Sequence, residues 1–144
     1  MNKKIITGSR ILLGLLFTVF GLNGFLQFLP MPPPPAAGGA YLGALFATGY
    51  FFPVLAGVEL ITGVLLLLNR FVPLALILLA PVVVQINLYH GFLDPAGMGL
   101  PLVITFLGVF LAYSYRESFK AVLNSKAQPT VSSASVVRVE REAV

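Results

Sequence analysis

Four long apolar runs constrain this chain more than anything else in it: residues 11–29, 53–68, 72–92 and 100–115. The hydrocarbon core of a bilayer asks for about 20 apolar residues per helix, with a working range of about 17–25. Only 10% of the 144 residues are charged and 58% are hydrophobic, whereas soluble domains carry about 25% charged residues. A domain this small leaves much of its surface uncovered, so that surface must face lipid. The sequence predicts an all-α integral membrane four-helix bundle spanning residues 1–120, followed by a disordered cytoplasmic tail over 121–144.

Prolines punctuate the runs. Pro30 and the tract PMPPPP are expected to end the first span, because proline lacks the amide a continuing helix would use. Pro53, Pro73 and Pro101 sit near helix starts, where a missing amide costs least. Pro81 lies inside the third span and is expected to kink it. The stretch AAGGAYLGALFATGYFF, 36–52, reads as a short interfacial or re-entrant helix broken near Gly49, with Tyr50, Phe51 and Phe52 at the interface. Residues 1–40 do not read as a cleaved signal, because the apolar stretch exceeds a usual signal core of about 7–15 residues.

Basic residues set an orientation. Lys3, Lys4 and Arg10 precede the first run, Arg70 lies between the second and third, and Arg116, Lys120, Lys126, Arg138 and Arg141 follow the fourth. The connections 30–52 and 93–99 contain no lysine or arginine. The positive-inside rule then places both termini in the cytoplasm. The same distribution accounts for the basic tail without nucleic acid. With no cysteine and a single histidine, the chain excludes disulfides, thiolate metal sites and thiol redox chemistry of its own, and we expect no metal site.

Polar residues inside the runs are the functional candidates. At 1.5 Å per residue from Arg10 and Arg70, Glu59 lies about 16 Å deep, Asn23 about 20 Å, Gln85 about 23 Å, Gln27 and Asn87 about 25 Å and His90 about 30 Å. They form a graded track that opens at the outer surface and ends at Glu59. Asn23 and Gln27 share a helix face, as do Asn87 and His90, while Gln85 points away from that pair toward another helix or a second protomer. Glu59 has no basic residue within ten positions, and an acidic group at the bilayer centre costs about 3 kcal/mol. Three states stand open for it: a neutral carboxyl, a carboxylate bonded by Asn23, Gln27 or His90, or the wall of a wet or ligand-filled cavity. Ligand-binding or proton-exchange candidates are therefore Glu59, Asn23, Gln27, Asn87 and His90; no catalytic role is assigned. The plainer alternative is that asparagine and glutamine only glue helices together, at about 1 kcal/mol each.

Three segments, RILLGLLFTVFGLNGFLQFLP (10–30), GYFFPVLAGVELITGVLLLLNRFVPLAL (49–76) and PVVVQINLYHGFLDP (81–95), resemble the DoxX family of small bacterial membrane proteins over about residues 5–120. The resemblance implies a multi-pass bundle in the bacterial cytoplasmic (inner) membrane and an association with quinone-linked redox complexes. Asn23 and Glu59 match the family's recurrent polar positions, and His90 matches less closely. Its cofactor would be a quinone, with none covalently held. Its partners would be the lipid bilayer, a redox partner protein and a second copy of the chain. Against this quinone- or lipophile-binding subunit stand a scaffold without catalysis and a dimeric small-molecule transporter.

Overall fold

The computed structural model describes residues 2–126, so most of the expected tail lies outside the described residues. Asn2 starts the first helix by accepting a hydrogen bond from Lys4 N at 3.0 Å. That helix, α1, runs Lys3–Leu26. It stops before Pro30 rather than at it. Gln27 turns into the left-handed region (φ 48°), and Asn23 Oδ1 accepts from Leu29 N at 2.7 Å. The asparagine side chain thus ends the helix locally, by offering the backbone a partner outside it.

Helix α2, Ala36–Ala47, and helix α3, Phe51–Leu67, meet at an angle of 92°. Gly49 makes the corner at φ +73°, a conformation that favours glycine. Thr48 serves both helices: its hydroxyl donates to Leu45 O at 2.6 Å and accepts from Phe51 N at 3.2 Å. The break expected near Gly49 is therefore present.

A tight turn follows, with Arg70 N donating to Leu65 O at 2.9 Å, and leads into α4, Val72–Leu93. Pro81 lies within α4, which is a single helix across it. A 3-10 turn at Pro95–Gly97 precedes α5, Gly99–Ser114, and the short α6, Arg116–Phe119. There is no strand among the described residues. Two helices, α1 and α4, are long and apolar enough to cross a membrane, and the bent α2–α3 pair is a third if counted as one span. Helix α5, at 16 residues, is shorter.

Two packing regimes follow from residue size. Helices α1 and α3 lie in close contact because small residues face each other. A Cβ at Gly21 would stand 2.5 Å from Leu60 N, and one at Gly63 would stand 2.5 Å from Thr18 N. Small residues of this kind let backbones approach and pack without a hydrophobic driving force between helices. Elsewhere, larger side chains make the core: Leu13 and Phe17 from α1, Leu66, then Val72, Ala75, Leu76 and Leu79 from α4, and Ile104, Leu107 and Leu111 from α5.

The core gathers at one end. All buried residues of α4 fall in its first eight positions, Val72 to Leu79. At that end Arg10, only 7% exposed, donates through Nη1 to the carbonyls of Leu66 and Leu67, in the last turn of α3, where carbonyls lack the regular helical partner. Tyr115 Oη donates to Asn69 Oδ1 at 3.3 Å, tying α5 to the same turn. The start of α1 and the end of α5 therefore lie together. Toward the other end, α3 and α4 no longer bury side chains between them, and that is where the cavity lies.

Candidate functional site

The space is large, about 1270 Å³. Its floor is α3 (Phe51, Leu55, Val58) and α4 (Val82, Ile86), and α2 (Tyr41, Leu42, Leu45) and the proline arm Pro32 to Pro35 close it above. Val54, which also lines it, is 61% exposed, so the cavity is open to the surroundings on the α3 side. The wall is apolar and aromatic, with a few polar groups near α2 and the Pro95–Gly97 turn. Such a lining is the usual make-up of a small-molecule site.

The polar groups form two pairs. Gln85 Nε2 donates to Tyr41 Oη at 2.5 Å, which ties α2 to α4 and leaves the phenol hydrogen of Tyr41 free to donate elsewhere. Tyr89 packs its ring 6.1 Å from that of Tyr41, and a Cβ on Gly38 would lie 2.6 Å from the Tyr89 hydroxyl. The second pair is His90 and Asp94, one turn apart, with Nε2 and Oδ2 separated by 4.0 Å. His90 Nδ1 lies 2.9 Å from Ile86 O. Gly97 covers the pair, since a Cβ there would stand 2.6 Å from His90 Cδ2 and 2.8 Å from Asp94 Oδ2.

The track expected from the sequence is not assembled. Asn23 is spent on the end of α1. Gln27 is exposed in the left-handed turn that follows. Asn87 does not join His90: its Nδ2 donates to Thr105 Oγ1 at 2.7 Å and to Val83 O at 2.8 Å, bridging α4 to α5. Conversely, Gln85 and His90, expected on opposed faces, line one cavity, because a space this wide collects residues from more than one face. Gln85 does bond another helix, as its facing suggested.

Glu59 is the most informative departure. The buried residues of α3 are Ala56, Thr62, Gly63 and Leu66, and at 100° per residue Glu59 falls in the middle of the arc they define. It faces the bundle interior. Yet its carboxyl makes no hydrogen bond or ion pair with any described residue, because Asn23, Gln27 and His90 are all placed elsewhere. It is also not among the residues that line the cavity. Among the described residues, no group of three acidic, histidine or cysteine side chains is placed to hold a metal ion.

Sequence reasoning missed Tyr41, Tyr89 and Asp94. The His90–Asp94 spacing of four is a one-turn neighbour relation readable in the sequence. The Tyr41–Gln85 bond joins residues 44 positions apart and leaves no local signal.

No protein-family model, no curated protein and no solved structure matches this chain. The DoxX resemblance therefore rests on the three segments quoted for it.

Proposed function

We propose that this chain is a four-span membrane protein, with both termini cytoplasmic, that holds a lipophilic ring-and-tail molecule in the cavity beneath α2. A quinone-type molecule fits the description, as does service as a subunit beside a redox partner in a bacterial inner membrane of the DoxX kind. The basic residues at the Arg10 end and their absence at the α2 end support the orientation. The observation that carries the binding reading is the cavity itself: about 1270 Å³, above the 300–1,000 Å³ of common drug-sized sites, apolar along its walls and polar at one end.

A scaffold without catalysis is the second reading. It draws support from Asn23 and Asn87, each spent on holding the fold together. A titration separates the two. Short-chain quinones, the corresponding quinols and alkylphenols, added to the purified protein in nanodiscs, raise its unfolding temperature if the cavity is a binding site. A flat response to the whole series favours the scaffold.

A further inference from the structure

His90 carries an unused acceptor. A carbonyl oxygen only accepts hydrogen bonds, so the 2.9 Å contact between Nδ1 and Ile86 O requires the proton on Nδ1. In the neutral ring, Nε2 is then a bare lone pair. It is turned toward Asp94, whose carboxylate also only accepts. An imidazolium donating to that carboxylate would close to about 2.7–2.9 Å, whereas the atoms stand 4.0 Å apart. The bond is not made. With the ring neutral, two acceptors face each other across a 4.0 Å gap, and both lie on the cavity wall. Gly97 lies over one side of the pair, where a Cβ would stand 3.0 Å from Nε2, so a ligand reaches the two acceptors from the cavity side.

We infer that the cavity selects a lipophile bearing a phenolic hydroxyl, which donates its hydrogen to His90 Nε2 while the ring packs among Tyr41, Tyr89, Phe51 and Phe52. The aromatic wall favours a ring over an aliphatic alcohol, because aromatic pairs gain energy beyond simple burial. The free hydrogen of Tyr41 serves the oxygen of the same class of molecule.

This inference rests on the cavity being a lipophile site, and a matched pair of ligands separates the two ideas. 4-Nonylphenol and its methyl ether, 4-nonylanisole, differ only in the donor hydrogen and its replacement. Each is titrated into the full chain in nanodiscs, and binding is followed by the imidazole ¹⁵N resonances. His90 is the only histidine, so their assignment is unambiguous. The expected result is at least tenfold tighter binding of the phenol, with a shift of the Nε2 signal that the ether does not produce. In His90→Phe the two ligands bind within about twofold of each other. Equal binding of both by the wild type, or a resting Nε2 signal typical of a protonated nitrogen, overturns the hydroxyl inference and leaves the lipophile site standing. Binding of neither overturns both.

Discussion

Gln85 on α4 donates to the Tyr41 hydroxyl on α2 at 2.5 Å, and this bond is the polar tie that holds α2 across the cavity. Around it α2 is lightly held. Gly38 is its single buried residue, and its far end turns on Gly49. The helix that closes the cavity is therefore fixed at one polar point between the proline arm and a glycine corner.

Removing that point should loosen α2 alone. An inter-helix hydrogen bond in a membrane protein contributes about 1 kcal/mol at most when exposed as this one is, so Tyr41→Phe is expected to speed amide exchange over residues 36–47 by up to about fivefold. Exchange over α1 and α3 stays as in the wild type. Unchanged protection in α2 would mean that its packing, not the Gln85 bond, holds it.

The α1–α3 crossing should tolerate nothing larger than glycine at its closest point. In Gly21→Leu, Cβ would meet Leu60 N at 2.5 Å and Ala56 O at 2.9 Å, both backbone atoms that cannot step aside. Overpacking of this kind costs about 1–3 kcal/mol. The loss appears in the denaturation midpoint in mixed micelles. Gly57→Ala, on α3 with nothing within 4 Å of its Cβ, is the control and leaves the midpoint unchanged or higher.

Arg10 should be replaceable by neither an apolar nor a lysine side chain. Its guanidinium serves the carbonyls of Leu66 and Leu67 together. Arg10→Met leaves both without that donor, and hydrogen bonds to charged groups are worth about 1.5–3 kcal/mol each. Lysine restores part of the loss, because it lacks the planar fork. Full rescue by lysine in the same denaturation assay would reduce the role of Arg10 to charge alone.

Glu59 is expected to contribute nothing to stability. With no described residue bonded to its carboxyl, Glu59→Gln removes a costly group from among the packed helices and breaks no hydrogen bond or ion pair. The denaturation midpoint holds or rises, and ligand titrations overlay those of the wild type. A clear loss of either would restore Glu59 as the centre of a site and demand a partner for it.

These outcomes track what the sequence could convey. Pro53, Gly49 and the run Tyr50, Phe51, Phe52 write the corner between α2 and α3 into consecutive residues, so the break was readable. The positions of Asn23 and Glu59 along their helices were readable too, from rise and periodicity. What each polar group bonds was not. Asn23 had a nearer partner just past the end of its own helix, at Leu29, than Glu59 on α3, and Asn87 met Thr105 on a neighbour whose facing no local pattern reveals. The cavity arises because the side chains that α4 buries stop at Leu79, and the absence of burial beyond that point depends on how the helices spread, not on any motif.

The central claim is that the space beneath α2 holds a lipophile, and mass spectrometry of what the protein carries out of its native membrane tests it most directly. Val58 lines the cavity floor, and Val58→Trp fills that floor. The account predicts a discrete aromatic lipophile, enriched over bulk membrane lipid in the detergent-purified wild type and lost in Val58→Trp, while both proteins stay folded by circular dichroism. The same lipid profile in both proteins, with no species enriched over the membrane, would contradict it.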